Sequence, residues 1–105
     1  MEEKFIGVIE DNEHEGETFG YYFPQNEDNI KALGELEHLL DAGLFTCYFI
    51  DWEPYTKEEL RLISKGANNS YMDRVNFVTK KVDWESVFEQ LENDEDPLYK
   101  GDCFR

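Results

Sequence analysis

The chain has 105 residues, 40% of them apolar and 15% aromatic, which suits one packed domain and excludes an intrinsically disordered protein. Twenty-five acidic residues face ten lysines and arginines, and the formal net charge of −15 excludes direct binding to nucleic acid or to an anionic membrane. No signal peptide opens the chain, and no apolar run is long enough to span a bilayer. We therefore expect a cytoplasmic protein.

The first third of the chain predicts two strands joined by an acidic loop. Residues 5–9 form a short apolar run, and residues 18–23 carry aromatic side chains on both faces. Residues 10–17 hold five acids in eight positions, and Gly16 among them can supply a positive φ angle. This pattern predicts a β-hairpin with an exposed acidic loop.

A helix and a strongly apolar strand follow. Asn26 is a suitable N-cap, apolar residues then recur at helical spacing, and Gly43 is suited to end the helix. Residues 44–52 are apolar on both faces, which is typical of a strand buried at the centre of a sheet. We expect this strand to be central.

The second half predicts a helix, a strand and a last helix. Thr56 and Glu59 have the spacing of a capping box, which indicates a helix start. Residues 72–82 are predicted to form a strand, and Asp83 is predicted to cap the final helix. From about residue 92 the chain becomes an acidic tail, which we expect to fray.

These elements predict an α+β fold in the order ββαβαβα. The sheet is expected to have four strands, mixed or antiparallel, with the helices packed on it. No internal repeat or linker divides the chain, so residues 1–105 are predicted to form a single domain.

Catalytic and metal-binding motifs are missing from the sequence. Asp51 and Glu53 are the best candidate pair of catalytic carboxylates, but two acids at this spacing are expected by chance in so acidic a chain. The acidic loop lacks the ligand spacing of an EF-hand, and no Cys-x-x-Cys or His-x-x-x-His pair suggests zinc. We predict no enzyme activity, no cofactor and no metal.

The distribution of charge favours a protein-binding role. Residues 1–55 carry fourteen acids and two lysines, whereas residues 56–105 carry eleven acids and eight basic residues. Tyrosine and tryptophan beside carboxylates are typical of interface hot spots, and two or three of these aromatic side chains are expected to be exposed. The predicted partner-binding residues are Glu10, Asp11, Glu13, Glu15, Glu17, Tyr21, Tyr22, Asp51, Trp52, Glu53 and Tyr55.

The preferred hypothesis is an acidic inhibitor that binds and neutralises a basic, nucleic-acid-acting protein. In size and charge the chain is similar to bacterial immunity proteins against nuclease toxins, and its acids are concentrated in one half as one binding face requires. Phage-encoded antirestriction and anti-CRISPR proteins that mimic DNA are the first alternative, although such a mimic is expected to spread its acids along the whole chain. The second alternative is a small enzyme with a carboxylate site near Asp51 and Glu53. The third alternative is a regulatory or structural binding module.

Overall fold

The computed structural model describes residues 3–12, 16–43, 47–64, 72–93 and 95–104. It has the predicted α+β architecture in the predicted order ββαβαβα, followed by a short 3₁₀ helix. The elements are β1 (Lys4–Asn12), β2 (Glu17–Pro24), α1 (Glu27–Asp41), β3 (Tyr48–Thr56), α2 (Lys57–Ser64), β4 (Arg74–Phe77), α3 (Trp84–Glu92) and the C-terminal 3₁₀ helix (Tyr99–Phe104). Among the described residues, no helix has the length and apolar character needed to cross a membrane.

The four strands form one mixed sheet in the order β3-β1-β2-β4. Strand β1 is antiparallel to both β2 and β3, and β4 is parallel to β2. The prediction of a central strand at residues 44–52 is therefore wrong, since β3 lies at an edge and β1 is central. Tyr48 and Ile50 are buried, but Phe49 between them is exposed, so the apolar run does not reflect burial on both faces. Residues 44–46 lie outside the described residues.

The hairpin is tighter than predicted. Strand β1 continues to Asn12, which pairs with Glu17 at the start of β2. Glu10 and Asp11 are consequently strand residues rather than loop residues. Gly16 has a φ of 67°, as expected for the residue that completes the turn. The remaining loop positions, 13–15, lie outside the described residues.

Alternating side chains of the strands belong to two apolar clusters, one on each face of the sheet. Tyr21 and Phe23 of β2 belong to the larger cluster, with residues of α1, α3 and the C-terminal segment. Tyr22 points to the other face and joins a smaller cluster with Phe5, Ile9 and Leu60 of α2. Helices therefore cover both faces of the sheet.

The predicted helix starts are confirmed by their hydrogen bonds. The Asn26 side chain accepts the N–H of Asn29 at 2.9 Å, and Asp83 accepts the N–H of Ser86 at 3.2 Å. Thr56 and Glu59 form a reciprocal capping box, with distances of 2.9 and 3.2 Å. The backbone N–H of Thr56 lowers the pKa of the Glu59 carboxyl, because it donates to the ionised form.

The C-terminal segment packs into the core, so the expectation of a fraying tail is wrong. Helix α3 does end at Glu92, but Leu98 beyond it is fully buried. Phe104 is also buried, and its ring lies 4.9 Å from that of Phe23, centroid to centroid, in an edge-to-face contact. These two apolar side chains hold the segment down although acidic residues surround them in sequence.

Candidate protein-binding surface

Four carboxylates lie along the edge strand β3, and we call this set the acidic edge. Asp51 and Glu53 belong to the strand itself. Glu37 reaches Trp52 of the strand from α1, and Asp96 reaches Tyr48 from the segment before the 3₁₀ helix. Three separate parts of the chain therefore place carboxylates along β3, with Asp51 and Glu53 on one face of the strand and the contacts of Glu37 and Asp96 on the other.

Trp52 joins the edge strand to helix α1. Its indole N–H donates a hydrogen bond of 2.7 Å to Oε2 of Glu37. Such a short distance is typical of hydrogen bonds to an ionised carboxylate. The Trp52 side chain is nevertheless 39% exposed. The indole is thus held in a defined orientation with part of its ring open to solvent.

Asp51 is held in place from the central part of the sheet. The Tyr22 hydroxyl donates to Oδ2 of Asp51 at 3.0 Å, and the backbone N–H of Glu53 donates to Oδ1 at 3.2 Å. The Tyr22 ring crosses Gly7, where a Cβ atom would lie only 2.7 Å from the ring. A glycine at position 7 is therefore required for Tyr22 to reach Asp51 over the intervening strand.

Glu53 is exposed and oriented by its neighbour on the same strand. The Tyr55 hydroxyl donates to Oε2 of Glu53 at 3.0 Å. The Tyr55 ring in turn makes an edge-to-face contact with that of Tyr22, with centroids 6.0 Å apart. The two tyrosines thus orient both carboxylates of β3.

Tyr48 lies between two carboxylates at the start of β3. Its hydroxyl is 3.2–3.3 Å from both oxygens of Asp96, and Glu10 is its cross-strand partner on β1. Burial raises the pKa of Tyr48 far above its ordinary value, and the negative charges of Asp96 and Glu10 add to the rise. Partial desolvation, together with the charges of the same two carboxylates, also raises the pKa of the Cys47 thiol. Cys47 is nevertheless an exposed residue.

The predicted site residues divide into three groups. Glu10, Tyr21 and Tyr22 are buried, Glu10 being only 1% exposed, so their side chains do not lie on the surface where a partner-binding role would place them. Asp11, Glu17, Trp52 and Glu53 are exposed, while Asp51 and Tyr55 are half-buried. Glu13 and Glu15 lie outside the described residues.

Sequence reasoning missed three residues of this surface: Glu37, Phe49 and Asp96. Glu37 and Asp96 reach β3 from 15 and 48 residues away in sequence, and no local pattern indicates such contacts. Phe49 is 42% exposed, and only its position on an edge strand distinguishes it from the buried residues beside it. A correct strand order would have identified Phe49.

Three of the four carboxylates of the acidic edge lie in a stretch of sequence without basic residues other than His38, which ends at Lys57. Residues 32–56 contain no lysine or arginine. Within the described part of the chain, no group of three or more potential metal-ligating side chains is arranged to hold an ion. Carboxylates beside Phe49 and Trp52 form a surface that suits a partner with both cationic and apolar groups.

A concave feature, separate from the acidic edge, lies between α1 and α3. It is an open groove of about 1000 Å³, and its lining includes Lys31, Lys80 and Lys81 together with several acids. The opposite charges offset one another, unlike those of the acidic edge. The groove therefore gives no clear electrostatic preference for a ligand.

Comparisons with models of known protein families, with curated proteins and with solved structures return no match. Function must therefore be inferred from the charge, the exposed aromatic groups and the hydrogen bonds of the acidic edge.

Proposed function

We propose that the protein is an inhibitor that binds a basic, nucleic-acid-acting protein through the acidic edge and thereby neutralises it. A bacterial immunity protein against a nuclease toxin is the preferred class. The observation that carries this proposal is the presence of four carboxylates and two exposed aromatic side chains along β3. Three of these carboxylates lie within residues 32–56, which contain no lysine or arginine.

Carboxylates in this arrangement are suited to replace the phosphates that a nuclease binds. Arginine and lysine form short, charge-assisted hydrogen bonds with either group. Hydrogen bonds from Trp52, Tyr22 and Tyr55 already orient Glu37, Asp51 and Glu53 respectively. A partner therefore meets partly fixed carboxylates, which reduces the entropy lost on binding.

The same hydrogen bonds favour a binding role over catalysis. Asp51 accepts from Tyr22 and from the Glu53 backbone, and Glu53 accepts from Tyr55. These contacts orient the carboxylates, and among the described residues no serine, cysteine or histidine side chain is hydrogen-bonded to either one. We therefore propose that Asp51 and Glu53 are contact residues rather than a catalytic pair.

The proposal is tested by capture followed by an activity assay. Wild-type protein is immobilised and exposed to a lysate of cells that carry the gene, and bound proteins are eluted with sodium chloride and identified. A Glu37→Lys, Glu53→Lys variant is compared with a control, Glu85→Lys, Glu89→Lys, which alters two exposed acids of α3. Both variants change the net charge equally.

We expect the wild type and the control, but not the acidic-edge variant, to capture a basic nuclease. We also expect this nuclease to stop cleaving DNA or RNA when the wild-type protein is added. A neutral or acidic partner, or a nuclease that stays active in the complex, would overturn the proposal. Capture of a restriction or CRISPR enzyme in place of a toxin would support the DNA-mimic alternative.

A further inference from the structure

The hydrogen-bond pattern of β3 determines which of its backbone groups face outward. Glu10 of β1 is paired with Tyr48 of β3, and Asp11 and Cys47 are the next residues on the two strands. The N–H of Asp11 donates to the carbonyl of Cys47 at 2.8 Å. In an antiparallel ladder this makes the pair of Glu10 and Tyr48 a non-hydrogen-bonded pair.

The pattern alternates along the strand. Phe49 and Asp51 therefore direct their N–H and C=O groups toward β1, whereas Tyr48 and Ile50 direct theirs away from it. In the described part of the chain, no further strand lies on that outer side, because β3 ends the strand order. The outward N–H and C=O groups of Tyr48 and Ile50 therefore have no strand partner among the described residues, although these residues are only 4% and 9% exposed.

The open part of this edge is short and has a defined end. The register of β3 against β1 shifts between Phe5 and Gly7. Gly7 pairs with Asp51 and Phe5 with Tyr55, so a single residue of β1 lies opposite three residues of β3. Pro54 lies within this irregular part and has no N–H to donate. Regular pairing of an added strand with β3 is therefore expected to end near Trp52.

We propose that the basic partner docks by adding one of its own extended segments as a fifth strand on the outer side of β3. This inference rests on the proposed function and specifies how that partner binds. Backbone hydrogen bonds to Tyr48 and Ile50 supply affinity, as in other cases of strand addition. A side chain of the added strand next to Phe49 is apolar, and the alternate side chains, which lie on the other face near Glu37 and Asp96, are lysine or arginine.

Charge selects a basic strand over a second copy of this chain. Pairing β3 with the β3 of another molecule would bring two acidic edges together, with no lysine or arginine from residues 32–56 of either copy to offset them. The carboxylates that repel a second copy attract a cationic strand. Phe49 and Trp52, both exposed, then become covered by the partner.

The test uses amide hydrogen exchange measured by NMR, with a blocked octapeptide of alternating lysine and valine as the probe. In the free protein, the outward amides of Tyr48 and Ile50 should exchange much faster than the inward amides of Phe49 and Asp51. Saturating peptide should slow exchange at Tyr48 and Ile50 by at least about tenfold and leave Phe49 and Asp51 unchanged. The same peptide N-methylated at alternate residues has the same charge and should not bind.

Three results would overturn strand addition. One is binding of the lysine–valine peptide without protection of Tyr48 and Ile50, and another is equal binding of the N-methylated peptide. The third is protection of these amides that grows with protein concentration in the absence of peptide, which would assign the edge to a second copy. None of these removes the proposed function, which stands if the acidic-edge variant still fails to capture and inhibit the nuclease.

Discussion

The two edges of the sheet differ in length, surroundings and charge. The β3 edge is nine residues long, carries the acidic edge, and lies in a stretch at residues 32–56 that has no lysine or arginine. The β4 edge is four residues long, and residues 72–82 around it carry one acid and three basic residues. One small sheet thus separates negative from positive charge across its width.

This separation gives the molecule a preferred orientation in the field of a charged partner. A basic surface is attracted more strongly to β3 than to the side of β4, and under the proposed function this difference favours a first encounter at the acidic edge. The uneven charge of the sequence therefore becomes a difference between two edges in the fold.

The two tryptophans provide the largest expected contrast between the core and the acidic edge. Trp84 contacts Phe23, Phe88 and Phe104, with ring centroids 5.3–6.3 Å apart. We expect Trp84→Ala to lower the free energy of unfolding by about 3 kcal/mol. Trp52→Ala should lower it by about 1 kcal/mol or less, because Trp52 is largely a surface residue. Urea unfolding followed by circular dichroism measures both, and equal losses would contradict the division of roles.

A pair of glycine substitutions tests how the sheet supports Asp51. Gly7→Ala places a methyl group against the fully buried Tyr22 ring and should lower the free energy of unfolding by about 1–3 kcal/mol. Gly34 is exposed on α1 with no atom near its missing Cβ, so Gly34→Ala should stabilise by about 0.5–1 kcal/mol. Thermal and urea unfolding check both signs. A Gly7→Ala protein as stable as the wild type would show that the close approach of Tyr22 is not required.

A smaller effect is expected from Tyr48, which ties the C-terminal segment to β3. Tyr48→Phe removes the hydrogen bond to Asp96 and should cost about 1 kcal/mol at neutral pH. The pKa of Tyr48 in the folded protein lies above its ordinary value of 10.0, so above that pH the unfolded chain releases a proton that the folded protein retains. This contribution to stability is present below about pH 10 and is lost as the pH rises.

The measurement is urea unfolding of the wild type and of Tyr48→Phe from pH 7 to pH 11. The wild type should lose its advantage over the variant as the pH passes about 10. A difference between the two proteins that stays constant over this range would show that Tyr48 ionises equally in both states.

Local features of the fold were predictable from sequence, and non-local ones were not. Asn26, Thr56 and Asp83 cap helices through hydrogen bonds to residues three positions away, so a short sequence window contains both partners. The burial of Glu10 and the edge position of β3 depend on strand order and register, which no short window contains. The acidic stretch around Glu10 therefore resembled a solvated loop.

The candidate surface shows the same division. Trp52 and Glu53 were predicted as contact residues because their types and their place near a strand end suit an interface, and both are exposed. Glu37 and Asp96 join them only through tertiary contacts to Trp52 and Tyr48. Charge composition indicated an acidic surface, but only the packing of α1 and of the C-terminal segment places it along β3.

The most direct test of the central claim is the association rate of the captured nuclease with two variants of equal charge. Glu37→Lys, Glu53→Lys alters the acidic edge, and Glu85→Lys, Glu89→Lys alters α3. In stopped-flow measurements at low sodium chloride concentration, the first should slow association by about tenfold or more and the second by less than about threefold. Equal slowing by the two variants would show that only the net charge matters and would contradict a binding surface along β3.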